Sequence, residues 1–310
     1  MITVLKGTAG DLQPVVEWSP GCWVNAVAPT PDEVEHLSRQ LRVSREWIDH
    51  ALDSDERARV KHEDGALLIV LRLPHLQGAH ADVPYITIPV GILIADGLLA
   101  TVCAVENPVI RSLASGEVRQ LSTAKSNRFL LQLLFAAADK YLDYVREINQ
   151  AVDKLEDKLQ RSLRNQEVLE LLKYQKSLVY FTTGLKANEL MLDRLQRSHL
   201  FEKYPEDQEL LADVLTEIQQ ALEMTSISEN ILSQMMDAFA SIISNNLNVV
   251  MKFLASMTIV LSLPSLAAGV YGMNVGLPLQ DHPLAFAIVM SLSLAVSIAI
   301  AIIFWKKDWF

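Results

Sequence analysis

The chain has 310 residues, half of them hydrophobic and 21% charged, and a positive mean hydropathy that is high for a sequence with so many charges. Its formal net charge of −10 excludes a nucleic-acid binder, because contact with phosphates needs a basic face that the sequence lacks. The apolar excess is concentrated: residues 249–305 contain only two charged groups, Lys252 and Asp281, whereas residues 1–246 read as an ordinary globular sequence.

The first residues show no basic segment followed by an apolar core, so no secretory signal is expected and the large domain is assigned to the cytoplasm. Cys22 and Cys103 each stand in apolar surroundings outside any Cys-x-x-Cys pair, which predicts buried thiols. Residues 15–18 and 23–27 have the pattern of short strands, and a helical pattern follows over 32–54. Three β-rich runs, 66–73, 85–94 and 98–105, are separated by Gly and Pro, so an α/β domain with an antiparallel or mixed sheet is expected over 1–125.

From Asn127 the period becomes helical. Leu130, Leu133, Leu134, Tyr141, Val145, Ile148, Val152 and Leu155 trace an apolar stripe, and two or three amphipathic helices are expected to form a subdomain over 126–205. After Pro205 no proline occurs until Pro264 and no glycine until Gly269. Residues 206–273 therefore predict one helix, roughly 100 Å long at about 1.5 Å per residue, of which a bilayer takes only about 30 Å. The rest is a stalk that needs partner helices.

Two hydrophobic spans, 249–270 and 284–305, are joined by a short loop and form a hairpin. Lys306 and Lys307 follow the second span while the loop lacks Lys and Arg, which places the 306–310 tail and the N-terminus in the cytoplasm and the 274–283 loop outside. Trp305 and Trp309 suit the membrane interface.

Steps of three and four along the long helix pick out Asp237, Ser241, Ser244, Asn248, Met251, Ala255, Thr258, Ser262, Ser265 and Gly269, nearly all polar or small. A neighbouring phase, Phe253, Ser256, Val260, Leu263 and Ala267 among others, is mostly apolar. Small residues in a membrane helix also serve tight packing. The amides and carboxylate that extend the stripe below the membrane favour an aqueous path, and two spans per chain require several copies around one axis to enclose it.

At the outer end of this helix stands Tyr271-Gly272-Met273-Asn274. Here the chain resembles the CorA family of divalent-cation channels, whose hallmark is Gly-Met-Asn at the end of the first of two C-terminal spans. The resemblance covers the whole plan and implies an α+β cytoplasmic domain, a long stalk helix and two transmembrane helices assembled as a homopentameric funnel. It implies Gly272, Met273 and Asn274 as the selectivity filter, with Asp237, Asn248, Met251, Thr258, Ser262, Ser265 and Gly269 lining the pore. A helix C-cap is the plain alternative for Asn274. The loop Val-Gly-Leu-Pro-Leu-Gln-Asp-His-Pro departs from the Met-Pro-Glu-Leu run of familiar members, leaving Asp281 as its acidic residue.

Glu206, Glu209, Asp213 and Glu217 share one helical face near the start of the stalk. A solvated surface is the plain reading. The resemblance implies instead a regulatory metal site at Glu209, Asp213 and Glu217, where intracellular Mg²⁺ bridges neighbouring subunits and holds the channel closed. His75 and His80 are too few for zinc, and no phosphate loop or nucleophile with a paired base is present, so no enzyme and no resident cofactor are expected. The implied function is passive uptake of Mg²⁺ across the inner membrane. Its rivals are Zn²⁺, Co²⁺ or Ni²⁺ transport of the ZntB type, or a membrane-anchored scaffold that conducts nothing.

Overall fold

The computed structural model describes residues 1–8, 11–78, 81–118, 121–161, 165–197, 201, 204–279, 282–307 and 309. It divides into two compact units, Met1–Gln234 and Met235–Phe310.

The first unit is built on one seven-stranded sheet. Its strands are β1 (Ile2–Thr8), β2 (Asp11–Pro14), β3 (Trp23–Val27), β4 (Arg59–Glu63), β5 (Ala66–Leu76), β6 (Tyr85–Ala95) and β7 (Leu98–Cys103), in the order β2-β1-β3-β7-β6-β5-β4. Every pair is antiparallel except β3 with β7, which is parallel, so the sheet is mixed. Asp64-Gly65 and Asp96-Gly97 turn β4 into β5 and β6 into β7, each with both residues at positive φ. That is the type I′ geometry matching the twist of a two-residue hairpin.

Helices cover both faces. On one lie α1 (Pro31–Leu41) and α2 (Arg45–Leu52), whose Leu37, Leu41, Trp47 and Ile48 pack on Val24, Leu68, Val70, Leu93 and Val102. On the other lie α3 (Pro108–Ala114), α4 (Ser126–Arg161), α5 (Asn165–Arg197) and the start of α6 (Pro205–Tyr271), contributing Ile110, Phe129, Leu130, Leu192, Leu211 and Val214 to a core with Trp23, Ile69, Leu71, Leu73 and Ile92. Burial from both sides explains why β5 and β7 read as unbroken apolar runs rather than alternating ones.

Two local expectations change, and one strand appears where none was expected. Residues 15–18 form no strand; Val16 is 94% exposed, and β2 ends at Pro14. The helical pattern over 32–54 is broken into two helices where Arg42 takes a left-handed conformation. The polar strand β4, with the sequence RVKHE, has no apolar signature and exists through its pairing with β5.

β4 ends opposite Val70, so the main chain of Arg72 lies beyond its partner strand. Asn188 of α5 takes that place: its Oδ1 accepts from Arg72 N at 2.9 Å and its Nδ2 donates to Arg72 O at 2.7 Å. Tyr141 of α4 donates to the same carbonyl at 2.9 Å. Gly184 lets α5 come this close, since a Cβ there would lie 2.8 Å from both Thr87 Cγ2 and the Tyr141 hydroxyl.

The second unit consists of α6 from Met235, the following loop and α7 (Ala285–Lys306). Both helices are long and apolar enough to cross a membrane.

Candidate ion path and its outer motif

A helix advances about 100° per residue, so Met251, Ala255, Thr258, Ser262, Ser265 and Gly269 fall within one arc of roughly 80°. All six are exposed in the single chain, as are Asp237, Ser241, Ser244 and Asn248 below them. The covered face of α6 is a different one. Ser256 is fully buried, and Val260, Leu263 and Ala267 are partly covered. By the same angular spacing this stripe lies about 150° from the polar one. On α7 the residues with least exposure are Ala285, Val289, Met290, Ser293, Ser297, Ile300, Ala301 and Phe304, which gather on one side of the helix. Each helix thus has one less exposed side, and on α6 the polar stripe is not part of it.

The hydroxyls of the polar stripe turn back onto their own helix. Thr258 Oγ1 donates to Leu254 O at 2.8 Å, Ser262 Oγ to Ile259 O at 2.9 Å and Ser265 Oγ to Leu261 O at 3.2 Å. A hydroxyl whose proton is so used keeps its lone pairs for an outside donor, and the outward donors of a hydrated cation are its water protons. Pro264 stands within this span; it lacks the N–H that would bond the carbonyl of Val260.

α6 ends at Tyr271. The Gly272 N–H reaches Ala268 O at 3.0 Å and Gly269 O at 3.2 Å, and Met273 N–H reaches Val270 O at 3.2 Å. The carbonyls of Ala268, Gly269 and Val270 are thus satisfied by main-chain amides. Asn274 has no positive φ, its side chain makes no hydrogen bond among the described residues, and it is exposed. Its amide is free, which speaks against the capping alternative. The motif by itself did not point to Pro278, whose carbonyl accepts from the Tyr271 hydroxyl at 3.1 Å. Asp281 lies outside the described residues.

The acidic face of α6 is spread out. Glu209 and Asp213 are exposed and Glu217 is half-buried. Glu206 pairs with Arg128 of α4 at 2.9 Å. Among the described residues no three His, Cys, Asp or Glu side chains gather closely enough to hold a metal ion within one chain. His75 Nδ1 is buried without a partner, and burial holds its pKa below the ordinary imidazole value; His80 lies outside the described residues.

The family described as "CorA-like Mg2+ transporter protein" matches residues 19–307. The chain is 27% identical over 297 residues to the "Cobalt/magnesium transport protein CorA" of Methanocaldococcus jannaschii, covering 93% of this chain and 90% of that one. The fold superposes on the complete structure of the CorA magnesium transporter from the same organism with a TM-score of 0.85 and 25% identity, covering 100% of this chain and 99% of that one. A ZntB cytoplasmic domain from Vibrio parahaemolyticus matches at a TM-score of 0.60 and 15% identity over 78% of this chain and 98% of that one, a likeness of fold alone. With a family match spanning nearly the whole chain, an α+β unit, a long helix and a terminal apolar hairpin, the protein belongs to the CorA-like Mg²⁺ transporter family, a family of membrane transporters rather than enzymes.

Proposed function

We propose that the chain is the subunit of a passive divalent-cation channel of the cytoplasmic membrane, with Mg²⁺ as its main cargo. The observation that carries this reading is the exposed stripe from Asp237 to Gly269, which lies away from the covered side of α6 and leads to the free amide of Asn274. One hairpin cannot enclose such a stripe. Five copies around an axis would turn it inward, with residues 206–273 as stalk and first span, 274–283 as the outer loop and both termini in the cytoplasm.

The chemistry of the stripe suits a hydrated ion. Mg²⁺ gives up its octahedral water shell reluctantly. A ring of Asn274 amide oxygens, with the carbonyls of Gly272 and Met273, can hold it through its waters without binding too tightly for release. Thr258, Ser262 and Ser265 would accept from those waters deeper in the path. Met251 would form a constriction that opens and closes by wetting. An inside-negative potential supplies about 2.3 kcal/mol per charge per 100 mV, and so roughly twice that for a divalent ion.

Co²⁺ is the alternative cargo with direct support, because the M. jannaschii relative is named for cobalt as well as magnesium. Ion flux into proteoliposomes under a fixed membrane potential tests the proposal, with Mg²⁺, Co²⁺, Ni²⁺ and Zn²⁺ compared in parallel. Potential-driven entry with Mg²⁺ preferred is expected. Entry of Zn²⁺ alone would move the chain to a ZntB-like role, and no entry of any divalent ion would make it a scaffold.

A further inference from the structure

In the first unit, a cavity of about 1000 Å³ opens between the loop from α2 to β4, the middle of β5 and β6, and the C-terminal half of α5. Four arginines line it: Arg57, Arg59, Arg72 and Arg194. Arg72 is held rigidly by neutral oxygens. Its Nε donates to Thr87 Oγ1 (3.2 Å), its Nη1 to Ser54 O (2.8 Å) and Glu56 O (3.0 Å), and its Nη2 to Thr87 O (2.6 Å). Among the described residues no carboxylate comes within ion-pairing distance of this guanidinium. Burial pushes its pKa down from the ordinary value, a sign that its charge is desolvated.

Arg59 is also short of partners. Its Nε lies 3.2 Å from Glu56 Oε1, yet Nε and Nη2 are cut off from solvent without a well-formed hydrogen bond, and Glu56 is shared with His50 Nδ1 at 3.0 Å. Arg57 and Arg194 are exposed and make no hydrogen bond or ion pair among the described residues. Three carboxylates share the walls, Asp53, Asp55 and Glu56. Glu56 is engaged as described, Asp53 accepts the Asp55 N–H at 3.0 Å and keeps its charge, and Asp55 lies near enough to Arg72 to favour its charged form, so four arginines face three acids and the cavity keeps a positive excess. The opposite wall is apolar: Val179, Tyr180 and Leu190 of α5 are 46%, 45% and 62% exposed.

We infer that this cavity binds an organic phosphate of the nucleoside phosphate class, with the phosphates on the arginines and the planar base on the Tyr180 wall. Guanidinium groups fit phosphate oxygens with paired donors; Arg57 and Arg194 have theirs free, whereas Arg72, with four of its five N–H groups already bonded, adds positive charge and one remaining donor. The volume is far larger than a free phosphate needs and falls in the range of small-molecule sites. The site is separate from the ion path and does not rest on the proposed transport activity.

Calorimetric titration of the full-length protein in detergent tests it, with ADP, pyrophosphate and adenosine as probes and a chelator present to remove divalent ions. Saturable ADP binding near one per chain is expected, with pyrophosphate weaker and adenosine undetected. The double variant Arg57→Gln/Arg194→Gln alters exposed side chains and should weaken ADP by about tenfold or more. The lysine pair Arg57→Lys/Arg194→Lys should recover part of that loss. Tyr180→Ala should weaken ADP while leaving pyrophosphate unchanged. Absence of saturable ADP binding at low millimolar concentration, or equal affinity in the wild type and the glutamine pair, would overturn the site. Pyrophosphate binding as tightly as ADP, with Tyr180→Ala without effect, would overturn its assignment to nucleoside phosphates.

Discussion

The Tyr271 hydroxyl donates to the carbonyl oxygen of Pro278 across 3.1 Å, tying the last residue of α6 to the far side of the loop that carries Asn274. Gly272 to Leu277 are therefore held as a closed turn, and the free Asn274 amide projects from a segment fixed at both ends. If that amide forms the outer selectivity ring, Asn274→Ala abolishes Mg²⁺ uptake while assembly stays intact. Tyr271→Phe keeps the ring and removes only one exposed hydrogen bond, about 0.5–1.5 kcal/mol, so it should lower uptake severalfold without abolishing it. Proteoliposome flux measures both, and wild-type flux in Asn274→Ala would sink the proposed filter.

Assembly follows from the polar stripe. Thr258, Ser262 and Ser265 satisfy their protons on their own helix, but their remaining lone pairs and the side chains of Asp237 and Asn248 call for water or a partner helix. In mild detergent the protein should run as five copies of the 34.6 kDa chain, readable by light scattering corrected for bound detergent. A stable monomer or dimer would contradict the pore arrangement.

Gating is expected to depend on the acidic face of α6. Glu209 and Asp213 are exposed in the single chain, so a divalent ion between them and a neighbouring subunit would be bound only in the assembled closed state. Asp213→Asn removes part of that site and also some carboxylate repulsion, which is screened within about 8 Å at physiological salt. The lost site should dominate. Protection of the water-exposed domain from protease by millimolar Mg²⁺ should weaken, and uptake should resist shut-off at high internal Mg²⁺. Unchanged protection and shut-off would leave this face as solvated surface.

Asn188 substitutes for a missing strand partner of Arg72 and is 2% exposed. Asn188→Ala leaves the Arg72 N–H without its acceptor, while the Arg72 carbonyl keeps Tyr141. One orphaned buried donor costs about 1–3 kcal/mol, so the thermal unfolding midpoint should fall by several degrees. Asn188→Asp restores an acceptor for that N–H but faces the Arg72 carbonyl with a second acceptor, and should recover only part of the loss.

Burial pushes the Cys103 thiol up to about 12 from an ordinary 9.0. The thiolate is the reactive species, so the folded protein should resist alkylation at Cys103 at pH 8 and lose that protection on unfolding. The folded state holds the proton more tightly than the unfolded one. Its contribution to stability is complete below pH 9 and is lost as pH rises from 9 towards 12. Tyr85 and Tyr141 shift upward mainly through burial and add in the same direction. Unfolding by base should therefore release rapid Cys103 labelling in the same pH range, whereas steady labelling at pH 8 without unfolding would refute the buried assignment.

Local features of the sequence were enough to determine the two apolar spans, the uninterrupted helix leading into the first of them, and Gly272-Met273-Asn274 at its end. Hydrophobic length and the absence of Gly and Pro act within a few turns of chain and need no partner. The runs 23–27, 66–73, 85–94 and 98–105 were legible for the same reason, as dense β-branched and apolar stretches, and the structure places their strands at Trp23–Val27, Ala66–Leu76, Tyr85–Ala95 and Leu98–Cys103. The tertiary structure alone decided the strand order, the single parallel pair of β3 and β7, and the existence of β4, whose polar residues become a strand only by bonding to β5. It also decided that Asn188 completes the sheet at Arg72, through contacts 116 residues apart. On α6 the sequence separated a polar stripe from an apolar one, and packing then chose Ser256, Val260, Leu263 and Ala267 as the covered side. Periodicity specifies which residues share a face, whereas burial is a property of the surface that another element brings against it.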